Sequence, residues 1–294
     1  MPAPFVLCDV FAERPFAGNP LAVFLDADDI SDEVMADLGR EFGWSEITFV
    51  QGPDPRVRIW TPVGELPFAG HPTVGTAVVL ASQGRIPRGP NTLQLLIGPV
   101  DVDIHDAEAG GGSATMFQRA PEFGATFVDR RRLAQALGLA ETDLSADLPA
   151  QVVSTGLPHF LVPLRSLDAL QRVQADANSF PRVAADAGVR WIYTFTADTP
   201  GDTAGARARL IAPQMEDAAT GSAAGPLGAY LVQYGVRRAG EIQIVQGVEM
   251  GRPSLINVDV SRIEGNLGPV QVSGQVKIWA NGHLDTPARA VWPK

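Results

Sequence analysis

Thiols are nearly absent from this chain: Cys8 is the single cysteine, so no internal disulfide can form. Its place beside the apolar run Phe5-Val6-Leu7 reads as a small core position. Histidines number four, and none stands in an H-x-x-x-H or H-x-H spacing with acidic company, so no zinc site and no other metal is expected. Basic stripes are missing too. The formal net charge is −10, and the densest basic run, Arg130-Arg131-Arg132, reads as the solvated start of a helix. Phosphate backbones and acidic membrane surfaces need clustered cations, so neither nucleic acid nor membrane is an expected partner. No apolar stretch approaches the length of a membrane span, and the opening M-P-A-P-F-V-L-C lacks the basic n-region of a secretion signal, so a cytoplasmic location is expected. The chain also lacks a G-x-G-x-x-G fingerprint, a phosphate-binding G-x-x-x-x-G-K-S/T loop and a G-x-S-x-G nucleophile elbow. No cofactor is expected.

What the chain does have is an internal repeat. Arg58 to Gly84 reads as a strand, a Pro/Gly-rich loop and a helix, and Arg209 to Gly235 repeats it without a gap. Arg58 falls on Arg209, Pro62 on Pro213, Glu65 on Glu216, Gly70 on Gly221, Leu80 on Leu231 and Gly84 on Gly235. A shorter echo links the hexapeptides P-F-A-G-N-P (Pro15 to Pro20) and P-F-A-G-H-P (Pro67 to Pro72). Short β-rich segments with turn residues surround each repeat helix. At 294 residues, with 45% hydrophobic and 19% charged side chains, the chain suits one large or two ordinary domains. The halves are placed at 1–118 and 119–274, with Ala120 to Ala140 as linker and 275–294 a possible return to the first half. Gly110-Gly111-Gly112 reads as a flexible turn between strands.

Both repeat helices open on small residues, Ala69-Gly70-His71-Pro72-Thr73 and Ala219-Thr220-Gly221-Ser222-Ala223. The first turn of a helix exposes unpaired N–H groups and about half a positive charge, so small residues there let an anion approach closely. The expected ligand is a small carboxylate, held by Gly70, Gly221 and the hydroxyls of Thr73 and Ser222, in a cleft between the halves. Glu46 is the sharpest acid/base candidate: burial at a strand start would raise its pKa towards the range useful for proton transfer. Overlaying Ile47-Thr48-Phe49 on Tyr193-Thr194-Phe195 sets Ile192 against Glu46, so the second half offers no matching carboxylate. His71 at the helix start, and Asp217 where the first copy has Leu66, could position a substrate and tune Glu46. His159, after Pro158 near the counterpart of Asn19, is given no role.

D-V-F-A-E-R-P-F-A-G-N-P from Asp9, S-E-I-T-F-V from Ser45, E-L-P-F-A-G-H-P-T-V-G from Glu65, S-T-G-L-P-H from Ser154 and M-E-D-A-A-T-G-S-A-A-G from Met215 together resemble the phenazine-biosynthesis isomerase family. The resemblance covers nearly the whole chain. It implies an α+β, diaminopimelate-epimerase-like fold of two pseudo-twofold-related domains, each with strands wrapped around a central helix, and a homodimer. It also implies catalysis by Glu46, His71 and Asp217, with Gly70, Gly221 and Ser222 binding substrate; Asn19 and Thr73 complete the expected substrate-binding set. The family's founding activity isomerises trans-2,3-dihydro-3-hydroxyanthranilate by moving a proton between ring carbons without a cofactor. The family's usual E-D-P-A-T-G is spelled E-D-A-A-T-G here, with Ala218 in place of proline. Epimerases of the wider group use a thiol in each half, and Cys8 lies far from both helix starts, which disfavours two-thiol chemistry. Three readings stand: an isomerase of a small cyclic or unsaturated carboxylate, an epimerase or racemase of an amino or hydroxy acid, and a non-catalytic binder of an acidic metabolite.

Overall fold

The computed structural model describes residues 3–199 and 204–285. The chain divides into two compact units, Met1–Met116 with Ser273–Lys294, and Phe117–Val272. The last residues of the segment expected to return to the first half, 286–294, lie outside the described part.

The first unit holds β1 (Ala3–Val10), β2 (Asn19–Phe24), α1 (Asp32–Phe42), β3 (Ile47–Gln51), β4 (Arg56–Thr61), β5 (Gly64–Leu66), α2 (Gly70–Ser82), β6 (Gly89–Leu95), β7 (Gly98–Glu108) and all but the last two residues of β8 (Gly111–Gln118). β1 pairs antiparallel with β2, β2 parallel with β3, β3 antiparallel with β4, β4 parallel with β6, and β6 antiparallel with β7, which pairs with β8. α2 is the hub. Gly70 to Leu80 are all buried, because V-G-T-A-V-V-L presents apolar or small groups in every direction rather than along one stripe. A side chain at Gly75 would put Cβ 2.5 Å from Leu21 Cδ2 and 2.6 Å from Val10 Cγ2, so β1 and β2 approach the helix only because glycine stands there. α1 lies outside, capped by the Ser31 hydroxyl on Val34 N and closed by left-handed Gly43, and it covers Phe24, Phe49 and Trp60 with Val34 and Met35.

The second unit repeats this order with β9 (Glu122–Phe127), α3 (Arg130–Ala136), β10 (Ala150–Ser154), β11 (Pro158–Pro163), α4 (Leu167–Arg172), α5 (Phe180–Asp186), β12 (Ile192–Thr196), β13 (Ala206–Ala212), β14 (Met215–Asp217), α6 (Gly221–Gln233), β15 (Gly240–Gln246) and β16 (Ser254–Ile263). Strand directions recur: β10 and β11 are antiparallel, β11 and β12 parallel, β12 and β13 antiparallel, β13 and β15 parallel, β15 and β16 antiparallel. α6 is buried from Gly221 to Val232. Where the first unit has α1, the second packs α3, α4 and α5 around Phe160, Ile192 and Phe180. The closing strand β17 (Asn266–Leu284) runs through residues of both units.

The repeat keeps its register to the residue. Ile59 faces Leu66 and Trp60 faces Glu65 in the first hairpin; Leu210 faces Asp217 and Ile211 faces Glu216 in the second. Arg58 grips Glu65 with Nε and Nη2, both at 2.8 Å, and Arg209 grips Glu216 at 2.8 and 2.9 Å. Each helix passes into a positive-φ glycine, Gly84 and Gly235, two residues beyond its last turn.

Several expectations need correction. The stretch expected as linker, Ala120 to Ala140, contains β9 and most of it is regular structure, because β9 pairs with β10. Of the glycines at 110–112, Gly110 is exposed at the turn but the other two are packed: a Cβ at Gly111 would lie 1.9 Å from Val276 O, and one at Gly112 would lie 1.9 Å from Asp106 O. The overlay of Ile47 on Tyr193 is also off by one. The ladder sets Phe49 against Arg58 and Thr194 against Arg209, so Ile47 matches Ile192 and Glu46 matches Trp191. Both isoleucines pack outward under the covering helices, as a shared face demands. The second unit still offers no carboxylate at that place.

Candidate active site

In the first unit the start of β2, the start of β3 and the start of α2 meet. The two hexapeptides thereby bring their variable residues together: Asn19 Nδ2 stands 3.2 Å from His71 Nδ1. Ser45 donates its hydroxyl to Asn19 Oδ1 at 3.1 Å, which orients the amide so that Nδ2 points at the imidazole. With Asn19 Nδ2 as the donor, Nδ1 accepts and the ring proton falls on Nε2. Glu46 Oε2 is 3.5 Å from the same Nδ1. Asn19 is 1% exposed and His71 3%. Burial pushes the His71 pKa down to about 3, with the Pro20 carbonyl pulling the other way. The Glu46–His71 contact is therefore not an ion pair at neutral pH, but a carboxyl beside a neutral imidazole.

His71 Nε2 is buried, and no described residue accepts its proton. A buried N–H left in this state is costly, typically ~1–3 kcal/mol, and it marks the place where a ligand acceptor fits. The α2 start has no side-chain cap either, its N-cap being Ala69. Thr73 does not join the cluster. It is fully buried and donates its hydroxyl to Ala69 O at 2.7 Å, so the helix's own backbone occupies it.

In the second unit β14 ends on Asp217, which is 8% exposed and accepts from Thr220 Oγ1 at 2.6 Å. Thr220 is the N-cap of α6, yet its hydroxyl serves Asp217 and makes no cap bond to the helix. The loop between is held from behind. Gln246 donates Nε2 to Asp217 O at 2.8 Å and accepts from Thr220 N at 3.1 Å and Tyr193 OH at 2.9 Å through Oε1, while Ser254 donates to Ala218 O at 2.9 Å. Burial, and then the charge of Asp217, holds the Tyr193 phenol well above its usual range, so it stays a donor. Gly221 O accepts from Gln118 Nε2 at 3.0 Å, and Gln118 Oε1 accepts from Thr155 at 2.6 Å. Ser222 Oγ lies 3.1 Å from His159 Nε2. Burial brings the His159 pKa down to about 4.

The structure thus groups Asn19, Glu46, Gly70 and His71 in one unit, and Asp217, Gly221 and Ser222 in the other. Reading by residue type missed Gln118, Gln246 and His159. The last was visible in S-T-G-L-P-H but lacked any partner within reach in sequence. Among the described residues no three His, Cys, Asp or Glu side chains converge as a metal-ligand set, and no helix is long and apolar enough to cross a membrane.

Comparison with known proteins finds relatives over nearly the whole chain. The profile of the family described as phenazine biosynthesis-like protein matches residues 8–282. The trans-2,3-dihydro-3-hydroxyanthranilate isomerase of Pseudomonas fluorescens is 36% identical over 95% of this chain and 98% of its own. Among solved structures, a PhzF-family phenazine biosynthesis protein of Bacillus anthracis superposes with a TM-score of 0.87 at 27% identity, over 97% of this chain and 99% of that one. A predicted epimerase from Pseudomonas aeruginosa gives 0.84 at 37%, over 97% and 100%. A probable proline racemase from Agrobacterium radiobacter shares the fold alone, with 0.64 at 12% identity over 98% and 94%.

Proposed function

We infer the function of this chain from the family it belongs to, the phenazine biosynthesis-like, or PhzF, family of isomerases, and from its diaminopimelate-epimerase-like fold. We propose that it isomerises a small cyclic, unsaturated carboxylate of the trans-2,3-dihydro-3-hydroxyanthranilate kind, with Glu46 carrying the proton and no cofactor taking part. The observation that carries this reading is the Ser45–Asn19–His71 chain beside Glu46: a buried neutral donor next to one carboxyl, with Trp191 at the corresponding place in the other unit. A single carboxyl can take a proton from one carbon and return it to another, leaving composition unchanged. A two-base racemase would want a second acid/base group on the opposite face.

In this mechanism the Glu46 carboxylate removes a proton from an sp³ ring carbon α to the unsaturated system. The electron pair spreads towards the substrate carboxylate. His71 Nε2–H and the first-turn N–H groups at Gly70, Gly221 and Ser222 stabilise that developing charge, as fixed donors aimed at an anion do. Glu46 then returns the proton at the far end of the conjugated system. Asp217, anchored by Thr220 and Gln246, holds the substrate amine. Burial keeps His71 neutral, so it donates a hydrogen bond without protonating the intermediate.

The test is direct. Purified protein is incubated with trans-2,3-dihydro-3-hydroxyanthranilate and followed by NMR. Conversion to an isomer of equal mass is expected; inversion at one stereocentre would favour the epimerase reading, and binding with neither conversion nor exchange would favour the binder. A homodimer in the cytoplasm belongs to the same proposal, and sedimentation at micromolar concentration should give twice the chain mass.

A further inference from the structure

The second residue of each helix is polar, His71 on α2 and Ser222 on α6, and these positions correspond in the repeat. Each is met by a side chain from the strand that opens the parallel pair: Asn19 on β2 for His71, and His159 on β11 for Ser222. The strand ladders place the two partners on the same inward face. Val23 pairs with Thr48 and Leu161 with Tyr193, so His159 stands where the first unit has Leu21, one inward position along from Asn19. The imidazole thus sits on the helix in one unit and on the strand in the other.

In the first unit the hydrogen bonds run one way when Asn19 Nδ2 is the donor to His71. Ser45 donates to Asn19, Asn19 donates to His71 Nδ1, and the relay ends on Nε2–H with no acceptor among the described residues. We propose that His159 is the matching positioning residue of the second unit: its Nε2–H donates to Ser222 Oγ, so that the hydroxyl proton of Ser222 points to the substrate's anionic group. The inference rests on the reading above of Ser222 as a substrate-binding group. Chains of hydrogen bonds polarise one another, so an N–H behind the hydroxyl makes it a better donor to an anion. A neutral ring also adds no charge next to Asp217's loop, where a cation would draw the carboxylate away from its Thr220 partner. If instead Ser222 donated to His159, the hydroxyl would offer only lone pairs beside a helix start built for anions, and the two would repel a carboxylate.

The experiment uses the full-length protein with His159→Leu, His159→Gln, Ser222→Ala and the His159→Leu/Ser222→Ala double variant. It reads kcat and KM with trans-2,3-dihydro-3-hydroxyanthranilate, the Kd of the unreactive probe anthranilate, and the His159 tautomer from the ring carbon and nitrogen shifts. The expected tautomer carries its proton on Nε2. His159→Leu should lose about tenfold in kcat/KM and in anthranilate affinity, the worth of one hydrogen bond to a charged group. That loss should vanish when Ser222 is already alanine, and His159→Gln, whose amide N–H reaches the same place, should recover most of it. A ring proton on Nδ1, or an undiminished His159→Leu loss in the Ser222→Ala background, would overturn the proposal. Anthranilate binding and the tautomer need no turnover, so they decide the role of His159 even if the isomerase reading fails. If His159→Leu does not fold, His159→Gln and the tautomer measurement carry the decision.

Discussion

His71 and His159 both give up their charge on folding. Burial lowers one from 6.5 to about 3 and the other from 6.5 to about 4. The unfolded chain therefore binds protons at these rings from about pH 6.5 downwards, whereas the folded chain does so only near pH 4 and below. Their contribution is intact above pH 6.5 and is lost as the pH falls, by at most ~1.4 kcal/mol per pH unit for each ring. The urea midpoint should decline steadily from pH 6.5 to 4.5, and His159→Gln should flatten that decline. An unchanged midpoint across the interval in the parent protein would contradict two buried neutral imidazoles. At this scale much of the site was legible. Glu46 and His71 stood out because an ionisable group beside Ile47 or between Gly70 and Pro72 has little reason to be there structurally. Thr73 misled, since a hydroxyl in a first helical turn can face either a ligand or the carbonyl four residues back, and only packing decides between them.

The repeated strand, hairpin and helix carry their own ion pair, and the two copies differ in cost. Arg209 is 8% exposed, grips Glu216 in a fork, and its Nη1 also donates to the carbonyls of Leu170, Gln171 and Val173 at 2.9, 3.3 and 3.1 Å. Arg58 grips Glu65 in the same way, but its further partner, Asp32, lies on the surface. Removing one member of a buried pair typically costs ~3–5 kcal/mol, because the other is left desolvated. Arg209→Ala should fall in that range, Arg58→Ala clearly below it, and chemical denaturation of the two variants checks the order. Gly225 makes a second element-scale case. A Cβ there would lie 1.9 Å from Gln118 Oε1, and Gln118 is the side chain that ties Gly221 O to Thr155. Gly225→Ala should displace Gln118, costing ~1–3 kcal/mol of stability and lowering kcat/KM. Full activity in that variant would show that Gln118 does not hold the α6 start. The repeat's register was readable because its apolar and Gly/Pro positions recur without a gap. The Gln118 and Gln246 clamps were not, since each joins residues far apart in sequence through side chains of ordinary composition.

At the scale of the molecule, two copies of one strand-wrapped helix carry different chemistry. The first unit sets Glu46 beside His71; the second has Asp217 held by Thr220 and Ser222 met by His159. The doubling was plain from the sequence, and the two hairpins repeat it in register. The alignment of β3 with β12 was not plain, because I-T-F and Y-T-F match by letter but slip by one residue in the sheet. Such a slip exchanges the inner and outer faces, and no local pattern of three residues resolves it. The asymmetry outlives the correction, since Trp191 is no more a base than Ile192.

That asymmetry is the central claim, and solvent-proton exchange tests it most directly. The protein and its Glu46→Gln variant are each given trans-2,3-dihydro-3-hydroxyanthranilate in deuterated water, and label at the ring carbons is followed by NMR. The parent should isomerise the compound and place deuterium in the product. Glu46→Gln should bind it yet lose ~10²–10⁴-fold in both conversion and labelling, the usual contribution of one acid/base group. Labelling by Glu46→Gln at the parent rate would contradict the account.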